Sequence, residues 1–106
     1  MAAVIPAFRV VHVVCFKFKP DTPPSALLNM ATEAEALPEC IKGMPFAISF
    51  RPTFTHERAR GFTHVLYSQF SNAEDLNRYS SHPAHTSFVA KYKPFFEDVM
   101  AVDIEL

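Results

Sequence analysis

Phe8-Arg-Val-Val-His-Val-Val-Cys-Phe-Lys-Phe18 is the stretch whose reading decides the fold. Its alternation puts Val10, His12, Val14, Phe16 and Phe18 on one face and Val11, Val13 and Cys15 on the other, the period-two signature of a strand rich in β-branched and aromatic residues. Both faces are apolar in the middle. A strand of that kind needs a layer above it and a layer below it, so the remaining chain is read for what supplies each.

Lys19 to Pro24 breaks the strand, and Thr22 followed by Pro23 predicts a helix start. Leu27, Met30, Ala31, Ala34 and Leu37 then mark one helical face, ending near Pro38. Met44, Phe46, Ile48 and Phe50 alternate as a second strand, which Pro45 and Pro52 push towards a sheet edge. Thr53 to Gly61 is polar and reads as a connecting loop. Phe62 to Phe70 resumes strand alternation. Ser71 with Glu74 three residues on predicts a capped helix running through Leu76 to about Tyr79. Pro83 predicts another helix to about Lys93, capped by Ser81 or His82, and Pro94 ends it. Val99 to Leu106 supplies a last strand.

The order β, α, β, β, α in two pieces, β predicts an α+β fold of the ferredoxin-like type: one four-stranded antiparallel sheet with helices on one face. The helices are one of the two required layers. The other is expected from a second copy of the chain stacked on Val11, Val13, Val65 and Tyr67, giving a homodimer. Residues 1–7 read as a loosely held arm and 8–106 as the folded domain.

Composition limits function. In 106 residues, ten Lys plus Arg stand against eleven Asp plus Glu for a formal charge of −1, with no basic run. The electrostatic footprint of a nucleic-acid binder is therefore missing. Eleven phenylalanines exceed what so small an interior needs and suggest an apolar ligand or a subunit interface. No apolar run approaches the ~18 residues of a membrane span. The N-terminus lacks the features of a signal peptide, and Cys15 and Cys40 lack metal-type or redox-type spacing, so a reducing, cytoplasmic setting is expected.

The usable chemistry is concentrated between Tyr79 and Tyr92. His85 falls in the first turn of the predicted helix and shares a stripe with Phe88, Val89 and Tyr92. An imidazole at a helix N-terminus that faces an apolar interior is disfavoured as a cation by the helix dipole and by desolvation. It is expected to stay neutral at pH 7 and able to accept a proton. His82 and His85, at i and i+3, are a weaker candidate metal pair, with no Asp or Glu beside them. Tyr92 is most simply core, and His56, Arg58 and Arg60 a solvated loop.

His12-Val-Val-Cys-Phe-Lys-Phe-Lys19, Arg60-Gly-Phe-Thr-His64, Leu76-Asn-Arg-Tyr-Ser-Ser-His-Pro-Ala-His85 and Phe95-Phe-Glu-Asp-Val-Met-Ala-Val-Asp103 together resemble the stress-responsive dimeric α/β-barrel (Dabb) family over nearly the whole chain. That family includes plant stress proteins without an assigned reaction and a plant polyketide cyclase that closes a poly-β-ketoacyl thioester by an aldol step without a cofactor. The resemblance implies Tyr79 and His85 as the catalytic pair and His12 and His64 as further pocket histidines. Phe16, Met30, Phe46, Phe50 and Phe88 are candidates for the substrate-lining wall. The expected activity is a cofactor-independent, metal-free cyclisation of a β-keto substrate, with a small apolar or polyketide-like ligand. A ligand-binding dimer without turnover and a cofactor-free monooxygenase-like barrel are the alternatives.

Overall fold

The computed structural model describes residues 7–106, so the arm expected at 1–7 lies, apart from exposed Ala7, outside the described residues. The chain runs β1 (Val10–Phe18), α1 (Pro24–Cys40), β2 (Phe46–Pro52), β3 (His64–Phe70), α2 (Ala73–Ser81), α3 (Pro83–Tyr92), a 3₁₀ turn (Lys93–Phe95) and β4 (Phe96–Glu105). The sheet order is β2-β3-β1-β4, with every neighbouring pair antiparallel. This is the expected ferredoxin-like arrangement, with β1 and β3 central and the proline-flanked β2 at an edge.

Several boundaries differ from the expectation for local reasons. The Thr22 hydroxyl donates back to the Lys19 carbonyl at 2.7 Å, closing the preceding turn, so Pro23 becomes the N-cap of α1 and Pro24 its first residue. Pro38 does not stop α1, because the helix is rejoined beyond it when the Ile41 N–H reaches the Leu37 carbonyl at 3.0 Å. Asn72, rather than Ser71, caps α2. Its side-chain oxygen accepts from the Asp75 N–H at 2.8 Å, and Glu74 and Asp75 place carboxylates at the positive end of the helix. Of the two candidate caps for α3, His82 is the one used, its Nδ1 accepting from the Ala84 N–H at 3.0 Å. β3 starts at His64 instead of Phe62. β4 starts at Phe96 instead of Val99, because Phe96 pairs with Phe18 across an irregularity at Lys17.

Alternation along the strands sorts the sheet into two faces. On the first, Val10, Phe16, Phe46, Phe50, Leu66 and Phe70 pack against Met30, Ala34 and Leu37 of α1, Leu76 and Tyr79 of α2, and Phe88 and Tyr92 of α3. On the second, cross-strand pairing aligns Val13 with Tyr67 and Val102, Cys15 with Val65 and Met100, and Val11 with Ile104. Within the single chain that face stays open: Tyr67 is 41% exposed, Met100 49%, Val102 50% and Ile104 54%.

One buried atom is left unsatisfied. The Tyr92 hydroxyl has no hydrogen-bond partner among the described residues, although the ring is well packed beside Phe88. A buried hydroxyl without a partner costs about 1–3 kcal/mol, so Tyr92→Phe is expected to stabilise the fold by about 1 kcal/mol. Thermal unfolding reads this as a rise in Tm of roughly 4–8 °C. A fall in Tm would mean that the hydroxyl has a partner, such as a bound water.

Candidate functional site

The end of α2, the start of α3 and the centre of β1 converge on a cavity of about 290 Å³ between the sheet and the helices. β1 contributes His12, Val14 and Phe16, α1 Met30, β3 Leu66, α2 Tyr79, and α3 His85, Phe88 and Val89. Lys93, Phe96 and Val99 complete the wall where the chain turns from α3 into β4. The lining is apolar except for His12, Tyr79, His85 and Lys93. That is the usual make-up of a small-molecule site, at the small end of the size range.

Tyr79 is 1% exposed, held edge-on or tilted against Phe46 and Phe70 at ring separations of 5.4 and 5.0 Å. Burial raises its hydroxyl well above the ordinary phenol range, so near neutrality it is a hydrogen-bond donor and never a phenolate. His85 lies against it, ring centroids 4.3 Å apart. The local chain dictates how that imidazole is held. α2 ends at Ser81 and α3 starts at Pro83, so the free carbonyl of Ser80 meets the first turn of α3, 3.0 Å from His85 Nδ1. A carbonyl only accepts, so Nδ1 carries the hydrogen, and in the neutral ring Nε2 keeps its lone pair. The His85 pKa is lowered from the ordinary histidine value, chiefly by burial; the Ser80 carbonyl opposes this and the charge of His12 adds to it. The expected neutrality is therefore accounted for by desolvation first.

His12 is oriented by a group that the pattern of the sequence did not single out. Its Nδ1 donates to the carboxylate of Asp103, its directly paired neighbour on β4. The signal was the cross-strand register, which only the pairing of two strands 91 positions apart reveals. Lys93 was likewise missed, because a lysine at the C-terminal end of a helix ordinarily reads as a partner of the helix dipole.

Of the residues anticipated for the pocket, the structure brings together Tyr79, His85, His12, Phe16, Met30 and Phe88. His64, Phe46 and Phe50 are placed elsewhere. His64 shares the helix-covered face but stands at the far end of β3, stacked on Phe50 at 5.3 Å and edge-on to Phe18 at 5.2 Å, with Nδ1 2.8 Å from the Thr63 hydroxyl. Burial lowers its pKa also. Phe50 fills the core between His64 and Phe16, and Phe46 stacks on Phe70 behind Tyr79, so each supports the cavity from outside. His82 is occupied as a helix cap, and among the described residues no group of three or more His, Cys, Asp or Glu is assembled to hold a metal. None of the described helices is long and apolar enough to cross a membrane.

Comparison with known proteins places this geometry in context. A stress-response A/B barrel domain-containing protein of Arabidopsis thaliana is 36% identical over 93 residues, covering 87% of this chain. The match covers 35% of that protein, so the chain spans about a third of the relative's length. Olivetolic acid cyclase from Cannabis sativa is 24% identical over 92 residues, covering 87% of this chain and 91% of the cyclase. Among solved structures, a dimeric protein of unknown function and ferredoxin-like fold from Bacteroides fragilis superposes with a TM-score of 0.72 at 26% identity, covering 94% of this chain and 100% of that one. The family model described as the stress responsive A/B barrel domain matches residues 10–106, from the first residue of β1 to the end of the chain, and the chain belongs to that family.

Proposed function

We propose that the cavity catalyses the intramolecular cyclisation of a β-keto acyl substrate, with His85 as general base and Tyr79 as hydrogen-bond donor to the developing oxyanion. The observation that carries this reading is the pairing of a neutral imidazole, its Nδ1–H tied to the Ser80 carbonyl, with a protonated phenol in one apolar hollow. A methylene between two carbonyls is acidic enough for a base tuned near neutrality. Nε2 of His85 takes that proton, and the enolate carbon attacks a second carbonyl of the same chain. Tyr79 donates to the oxygen on which charge gathers. The imidazolium then returns its proton to the new alkoxide, so the cycle closes with nothing consumed. His12, its Nδ1–H held by Asp103, presents an Nε2 lone pair that accepts from an enol or hydroxyl of the substrate, while Phe16, Met30 and Phe88 receive the apolar end. The Cannabis sativa relative carries the name of a cyclase, which supports the reaction class without naming a substrate for this chain.

The active form in this reading is a homodimer. The open apolar face of Val13, Tyr67, Met100, Val102 and Ile104 calls for a cover, and the Bacteroides fragilis neighbour is described as dimeric. Sedimentation is expected to give twice the 12.0 kDa chain mass.

Incubation with a poly-β-ketoacyl thioester tests the activity. The expected result is a carbocyclic product above the level formed without protein. Only the spontaneous lactone, together with ligand-dependent stabilisation, would instead favour a binding protein without turnover.

A further inference from the structure

The polar groups of the cavity stand at its two ends. His85 is in the first turn of α3 and Lys93 follows the last residue of the same helix, eight positions later, which separates them by roughly 12 Å along the axis. Between them the wall is apolar, formed by Phe88 and Val89 with Phe96 and Val99 opposite. Lys91, two residues earlier, points away and is neutralised by Glu33 at 2.9 Å. Among the described residues, Lys93 makes no ion pair, and it remains exposed at the rim.

We infer that Lys93 anchors the anionic end of the ligand: the site favours a β-keto acyl chain presented as the free acid, its carboxylate about 12 Å from the carbon addressed by His85 and Tyr79, over the neutral thioester. This rests on the reading of the cavity as an acyl site and adds to it the charge and length of the substrate. A free cation at the mouth of an apolar channel is attracted to a carboxylate from solution and fixes the direction in which the chain enters. Reversed entry would put the carboxylate against the buried Tyr79 and a neutral His85, where a hydrogen bond is offered but no cation offsets its desolvation.

Calorimetric titration at pH 7 with decanoate and with decanamide, which differ only in head-group charge, tests this. Wild type is expected to bind decanoate roughly three- to fivefold more tightly than decanamide, as suits an ion pair at an exposed rim, with the preference shrinking as salt is added. K93Q is expected to remove the preference by weakening decanoate alone, and K93R to keep it. Because Lys93 also caps the C-terminal end of α3, its loss can loosen the helix, but that would weaken both probes alike and so count against the anchor. Equal affinity for the two probes in wild type overturns the anchor while leaving the cavity reading in place. Failure of both probes to bind overturns the two together.

Discussion

Replacement of His85 by Ala is expected to lower kcat for cyclisation of a poly-β-ketoacyl thioester by about 10²- to 10⁴-fold, the usual worth of a positioned general base. The dimer and the thermal midpoint should change little, since among the described residues the side chain makes a single hydrogen bond, to the Ser80 carbonyl, and it is only half-buried. KM is expected to stay near its wild-type value, because the apolar wall of Phe16, Met30 and Phe88 is untouched. Product analysis by liquid chromatography separates the enzymatic ring from the spontaneous lactone. Unchanged kcat in the variant would remove His85 from the chemistry.

The same residue gives the reaction its pH dependence. Burial lowers the His85 pKa below 6.5, so the basic form is already dominant at pH 7. Activity is therefore expected to rise with pH through a midpoint below 6.5 and to be flat above it. Stability follows the same sense. His85 and His64 both have folded pKa values below the unfolded one, so the folded chain binds fewer protons than the unfolded chain in that window. Their contribution is fully present above pH 6.5 and is lost as pH falls through the folded values.

Tyr79→Phe carries the second large effect. The phenylalanine ring keeps the packing against Phe46 and Phe70, so the fold is expected to survive, and what is lost is one donor in the wall of a mainly apolar cavity. Removal of a donor to a developing oxyanion costs about 10²- to 10³-fold in kcat, with KM nearly unchanged. Because burial keeps the phenol protonated to well above its ordinary value, the wild-type rate should show no loss from Tyr79 ionisation below pH 10. An alkaline fall with an apparent pKa near 9 that vanishes in the Phe variant would contradict this environment.

Much of the frame was legible from periodicity. The two-sided alternation of Val10 to Phe18 demanded layers above and below the sheet, and the stripe Met30, Ala34, Leu37 supplied one of them. What periodicity reads poorly is competition among neighbouring caps. Ser71 and Asn72 are both good caps, and the extended backbone of Asn72, with its side chain on the Asp75 N–H, decided between them. The site was legible to the extent that it is local: Tyr79 and His85 are six positions apart on consecutive helices. The pairing of His12 with Asp103 was not, since it depends on the register of β1 against β4. His64 illustrates the opposite failure. Strand alternation gave its face correctly but not its position along the strand, and β3 carries it from Ser68, paired with His12, to the far end beside Phe16 and Pro52.

The central claim is that an uncharged His85, hydrogen-bonded through Nδ1, meets ligands in the cavity it shares with Tyr79. Nitrogen-15 NMR titration of the imidazoles, with and without an unreactive alkyl β-diketone, tests it most directly. The account predicts a His85 pKa below 6.5, the Nδ1–H tautomer at neutral pH, and a shift of the Nε2 resonance when the diketone binds. A pKa above 6.5, the opposite tautomer, or an Nε2 signal indifferent to the bound diketone would contradict it.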